Sequence, residues 1–202
     1  MIETIPGRHQ NHLQENLARL VDSGLLFQKG APPHATYVFK HALIQDSAYS
    51  SLLKSSRRDY HKLIAEALEQ QHPELAETQP ELIGHHYAAA ELPIQAIPYW
   101  QKAGQQAIIR SAMPEAIAHL SRAVELVGTL PDGPEKMGAE LMAQTYLGLA
   151  HMMNGGYAHP EVERAFTRAR DLCSALGDPP QTFPVLHGLV KYRLVRGEYA
   201  TG

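Results

Sequence analysis

The sequence predicts a mostly α-helical protein, an array of stacked helical hairpins preceded by a shorter segment with one small β-hairpin. Three observations predict it. The first is a recurring skeleton of small residues. Gly84 and Ala96, Gly104 and Ala116, and Gly188 and Ala200 are each twelve residues apart. In the first two copies a bulky residue follows the alanine by four (Trp100, Leu120) and a second alanine by seven (Ala103, Ala123). Small residues let paired helices approach, and the large one fills the groove between them. A looser copy, with two extra residues in its turn, runs through Leu147, Gly148, Val162, Phe166 and Ala169. The second observation is a succession of apolar stripes at helical spacing, separated by glycine and proline. The third is a single break in that period, near residues 25–40, where two short β-favouring runs appear.

Taken in order, Leu13, Leu17, Leu20 and Val21 define a first helix, and Ser23-Gly24 supplies its stop. Leu25-Leu26-Phe27 and Thr36-Tyr37-Val38-Phe39, separated by Lys29-Gly30-Ala31-Pro32-Pro33-His34, read as a two-stranded hairpin with a long loop. Residues 41–53 and 55–71 read as helices, the second with Tyr60, Leu63, Ile64, Ala67 and Leu68 on one stripe. Thr78-Gln79-Pro80-Glu81 places a capping threonine, a first-turn proline and a glutamate three after the cap, so a helix should start at about Gln79. Helices near 80–90, 93–111, 114–128, 134–153, 160–176 and 181–195 follow, punctuated by Gly128, Gly155-Gly156, Gly177 and Pro179-Pro180. The 93–111 helix must close one hairpin and open the next, which accounts for the 20-residue spacing of the first two copies. Ala200 opens a further helix with two residues left, so the last hairpin is expected to be half built, with Leu186, Leu189 and Val190 uncovered and the chain a piece of a longer protein.

Composition narrows the function classes. With 44% hydrophobic and 19% charged residues the chain can bury a core, and a formal net charge of −3 gives no electrostatic reason to expect nucleic acid or an anionic membrane as partner. The single cysteine, Cys173, excludes an internal disulfide and fits a reducing compartment. No apolar run approaches the roughly 18 residues of a membrane span. The expected location is the cytoplasm.

The run Tyr37-Val38-Phe39-Lys40-His41-Ala42-Leu43-Ile44-Gln45-Asp46-Ser47-Ala48-Tyr49 resembles the junction that follows the ATPase core in signal-transduction ATPases with numerous domains. The segments 79–90, 96–107 and 111–126 are similar to the tetratricopeptide-like region of bacterial members that often begin with a class III adenylate or guanylate cyclase domain. The resemblance covers essentially residues 9–202. It implies a tetratricopeptide-like right-handed helical-hairpin array over residues 79–202, a linking helix over 54–78, and a partial winged-helix segment over 1–53. Neither a cyclase domain nor a Gly-x-x-x-x-Gly-Lys-[Ser/Thr] phosphate loop occurs in the sequence, so those activities are not expected of this chain.

The resemblance also singles out His41. In the wider family a Met-His-Asp motif ends the winged helix, and its histidine contacts the β-phosphate of bound ADP; Lys40-His41-Ala42 stands in that place here. It implies a nucleotide-phosphate sensor that operates only where an ATPase core is present, and the chain by itself is expected to need no cofactor. The competing reading is a histidine at a helix start, packed beside the hairpin without a ligand.

Other candidates read as structural. Lys54, Arg57, Arg58, His61 and Lys62, with Tyr60 among them, form a basic strip, but Glu66 and Glu69 follow on the same helix and a solvated face is expected. The pairs His9/His12 and His85/His86 lack metal-ligand spacing, so no metal is expected. Cys173 falls on the buried stripe with Phe166 and Ala169, Trp100 sits at the wedge position, and Glu74, Glu77 and Glu81 cluster at a helix start, where they suit the helix dipole.

The leading expectation is a non-catalytic regulatory and protein-interaction segment, in which the array senses a protein partner or ligand and passes its occupancy to an ATPase or cyclase domain. The alternative is a DNA-binding transcription regulator that uses the winged helix. The helix before the hairpin carries only Arg19 against Glu15 and Asp22, which disfavours the alternative.

Overall fold

The structure is a computed structural model that describes residues 10–32 and 35–198, with the side chains of Gln10 and Asn11 left aside. It is mostly helical with one small antiparallel sheet. The element order is α1 (Gln10–Asp22), β1 (Leu26–Lys29), β2 (Thr36–Phe39), α2 (Ala42–Ser51), α3 (Lys54–Gln71), α4 (Pro73–Thr78), α5 (Pro80–Ala89), α6 (Pro93–Ile109), α7 (Met113–Gly128), α8 (Pro134–Gly155), α9 (Pro160–Ala175) and α10 (Thr182–Arg196). No helix among the described residues is long and apolar enough to cross a membrane.

The N-terminal part forms as its residues dictate. Gly24 ends α1 with φ of 73°, a conformation free of steric cost for glycine, while its N–H donates to Val21 O and that of Leu25 to Leu20 O. The chain then turns into β1, which pairs with β2 in the register Leu26 to Phe39 and Lys29 to Thr36. Leu13, Leu17 and Leu26 form a small core with Val21 and Tyr37 against it. By contrast, α2 buries no residue.

From α3 onward three clusters of buried residues follow one another along the chain. Ala65 and Leu68 of α3 join Ile83 and Tyr87 of α5, Ala96 and Ile97 of α6, and Leu126 and Val127 of α7. Leu120 packs with Ala107, Ala116 and Ala150. Leu141 of α8 joins Val162, Phe166, Ala169, Leu172 and Cys173 of α9 and Val185, Leu189 and Tyr192 of α10. Each helix from α5 to α10 packs on its successor, and alternate helices also touch, α6 with α8 and α8 with α10.

The small-residue skeleton explains these pairings. A Cβ added to Gly84 would lie 3.2 Å from the Trp100 ring, one at Gly104 only 2.4 Å from Leu120 Cγ, and one at Gly148 3.0 Å from the Phe166 ring. Each wedge therefore lies directly on the glycine of the preceding helix. The connections repeat as well: Glu91 and Ser111 both adopt left-handed φ, 58° and 59°, followed by Leu92 N–H to Tyr87 O and Ala112 N–H to Ala107 O.

Several expectations need correction. Thr78 does not cap α5, because it is the last residue of α4 and its hydroxyl donates to Glu74 O; Gln79 holds the cap position, without a side-chain hydrogen bond. The 54–78 link is two helices, broken at His72 ahead of Pro73, whose ring disfavours helical backbone in the residue before it. Gly188 does not await a following helix, since a Cβ there would meet Phe166 of α9 at 2.6 Å. Leu189 is consequently buried, whereas Leu186 and Val190 are exposed as expected. Ala200, like His9, lies outside the described residues.

Candidate functional site

A groove of about 400 Å³ opens between α8 and α9. Glu140, Gln144, Leu147 and His151 line it from α8, at the spacing of one helical stripe, and Glu161, Arg164, Ala165 and Arg168 from α9. The helices run antiparallel here. Arg168 Nε and Nη2 donate to the two Glu140 oxygens at 2.6 and 2.8 Å near one end. The His151 ring stacks on that of His159 at the other, with centroids 5.7 Å apart. His159 caps α9, its Nδ1 accepting from the Glu161 N–H. Arg164 Nη1 donates to Glu161 at 2.8 Å.

The electrostatics of this groove are mixed and internally matched. The bidentate bond to Glu140 raises the Arg168 guanidinium above its ordinary value, and burial lowers the His151 imidazole. Leu147 and Ala165 provide apolar surface between the charges. Paired carboxylates and guanidinium groups can exchange partners with the backbone and side chains of a polypeptide, and the apolar surface can take an aliphatic side chain.

His41 is the N-cap of α2, in extended conformation, its side chain exposed and making no capping bond. Its carbonyl accepts from the N–H groups of Ile44 and Gln45.

The basic strip on α3 is largely engaged within the chain. Arg57 donates to Leu52 O and Ser50 O and lies over the Tyr49 ring, Arg58 bonds Glu91 at 2.5 Å, and Lys62 pairs with Glu66 at 3.8 Å. His61 turns away from this strip: its Nδ1 lies 2.8 Å from His86 Nδ1, and the Tyr49 hydroxyl lies 2.9 Å from its Nε2. His85 stands edge-on to both rings.

The remaining residues serve packing and capping. Cys173 is buried in the α8–α10 core. Trp100 is half-buried on Gly84, and its indole N–H is buried without a hydrogen-bond partner among the described residues. Glu74 and Glu81 stand in the first turns of α4 and α5, but Glu77 instead reaches Lys102 of α6 at 2.7 Å. Among the described residues no group of three or more histidine, cysteine, aspartate or glutamate side chains is arranged to hold a metal ion.

Sequence reasoning missed the α8–α9 groove and two polar assemblies, the histidine group and Glu69. The Glu69 carboxylate accepts from the hydroxyls of both Tyr87 and Tyr99, whose rings stack. The i, i+4, i+7, i+11 run from Glu140 to His151 was the available signal for the groove. Nothing in the sequence links His61 to His86, because their meeting depends on how α3 and α5 pack.

No family model matches the chain, and no solved structure does. The chain is similar to an uncharacterized protein of Rhizobium meliloti (strain 1021), 27% identical over 171 residues. That match spans 84% of this chain and 17% of the Rhizobium protein.

Proposed function

We propose that this chain is a non-catalytic, regulatory protein-interaction segment of a larger signalling protein of the ATPase type. In this reading α5 to α10 are a tetratricopeptide-like, right-handed array whose binding surface is the α8–α9 groove. The observation that carries it is the bulky side chain seated on the preceding helix's glycine at Trp100, Leu120 and Phe166. Stacks of this kind extend in one dimension and present grooves that take polypeptide.

The resemblance read from residues 37–49 supplies the rest. The N-terminal part is a partial winged helix, and His41, exposed at the head of α2, contacts nucleotide phosphate when an ATPase core is present in the full protein. A link to nucleotide cyclase signalling in the cytoplasm follows from the same resemblance. On α1, the helix before the hairpin, only Arg19 stands against Glu15 and Asp22, which weighs against the DNA-binding alternative.

Site-specific photocrosslinking tests the proposal. A photoreactive residue at Gln144, in the groove, is expected to capture a discrete protein from the source cell, with capture lost on adding E140A and R168A. The same probe at Arg170, which does not line the groove, should capture nothing. Equal capture at both positions would overturn the reading, as would ATP hydrolysis or cyclic AMP formation that survives repurification and vanishes on a point mutation.

A further inference from the structure

The histidine group lies outside the groove, where α2 meets the helices that follow. Because α2 buries no residue, hydrophobic packing does little to hold it. What does hold it is polar: the Tyr49 hydroxyl on His61, and Arg57 on the carbonyls of Ser50 and Leu52 and over the Tyr49 ring. His61 in turn is bonded across to His86 of α5.

Proton accounting along this chain is restrictive. With both imidazoles neutral, Tyr49 donates to His61 Nε2 and His61 Nδ1–H donates to His86 Nδ1, so every contact has one proton. One added proton is tolerated, since a doubly protonated His61 still finds an acceptor in neutral His86. A second places two N–H groups face to face across 2.8 Å, and the contact must open. His85, with its ring centroid 6.0 Å from His61 and 5.6 Å from His86, adds a third charge if it is protonated too.

Among the described residues no carboxylate is bonded to offset those charges. Glu66 pairs with Lys62, Glu91 with Arg58, and Glu69 with Tyr87 and Tyr99. Asp46, Asp59 and Glu81, the other acidic residues of α2, α3 and α5, bond neither ring. The cations Arg57 and Arg58 flank the site from α3.

We propose that the Tyr49–His61–His86 chain, with His85 beside it, is a proton-operated latch that joins α2 and α3 to α5 while at least one of His61 and His86 is neutral and lets go of α5 when both become charged. Burial, then the neighbouring His61 and His85, pushes His86 down to about 4, and burial, then His85, lowers His61. The latch is therefore closed at neutral pH and opens on acidification, with two protons taken up together. This inference is independent of what the α8–α9 groove binds.

Spin labels at D46C and E115C, in the full chain with C173S, report the distance from α2 to α7. One narrow distance distribution is expected at pH 7.5, broadening reversibly below about pH 6 with a slope steeper than one proton, while far-UV circular dichroism keeps its helical signal. H86Q should abolish that transition down to pH 4.5, because a single charge on His61 still finds an acceptor in the amide oxygen. Y49F should broaden the distribution already at pH 7.5 without lowering the helical signal. A distribution unchanged between pH 7.5 and 4.5, an H86Q titration identical to that of the parent, or loss of helicity at the same pH as the broadening would each overturn the latch.

Discussion

At the residue scale, glycine in this chain carries opposite meanings that only the neighbour decides. Gly104 lies under Leu120, so a methyl group would sit 2.4 Å from Leu120 Cγ, whereas Gly138, also inside a helix, has nothing within 4 Å of the equivalent point. Alanine gains about 1 kcal/mol of helix propensity over glycine at either place. Overpacking, however, costs about 1–3 kcal/mol. G138A is therefore expected to raise the stability measured by urea denaturation by a few tenths to about 1 kcal/mol. G104A should lower it by about 1 kcal/mol or more. Equal shifts would mean that Leu120 rotates away at little cost. Cys173, buried among Phe166, Leu172 and Val185, is expected to react with a thiol reagent only as fast as the core opens.

At the scale of elements, turns and packing impose different constraints. The α6–α7 turn requires left-handed φ at Ser111, which costs a residue with a Cβ about 1 kcal/mol. S111G is thus expected to raise the melting temperature, and a fall would show that the unfolded chain's gain in freedom outweighs the relief. Acid works on the histidines between elements. His61, His86 and His151 all titrate below their ordinary value, chiefly through burial. Between about pH 6.5 and 4 the unfolded chain binds more protons at these sites, so stability falls as pH drops through that window and is flat above it. The urea midpoint should therefore be lower at pH 5 than at pH 7.5, and H86Q should shrink the difference.

At the scale of the molecule, contact is sequential, each helix of α5 to α10 resting on its neighbours. Such a stack has ends, and α10 is the last described helix. Its inner stripe of Val185, Gly188, Leu189 and Tyr192 is buried under α9, while Phe183, Leu186, Val190 and Leu194 are exposed on another face. Two kinds of substitution separate these faces. V190E combined with L194K is expected to change the stability measured by urea denaturation by less than about 0.5 kcal/mol. L189E places an unpaired charge in the α8–α10 core and should prevent folding of α10. A large loss of stability from the V190E and L194K pair would mean that their face is covered after all.

The helices from α1 to α10, the hairpin and the wedge positions were legible from residues alone, apart from the short α4. Apolar spacing, proline at helix starts and glycine at helix ends act over a few residues and so leave a local record. That Trp100 and Leu120 would serve as wedges could be read for the same reason, because the partner glycine stands at a constant distance along the chain. Gly188 broke that rule, since its wedge comes from Phe166 behind it, on α9. The sequence therefore determined the inventory of elements and the spacing of its repeats. Tertiary structure alone decided that His61 meets His86, that Glu69 joins two tyrosines, and that Glu140 and Arg168 enclose a groove. These side chains lie 18 to 30 residues apart, and only the rotation and crossing of packed helices brings them within hydrogen-bond reach.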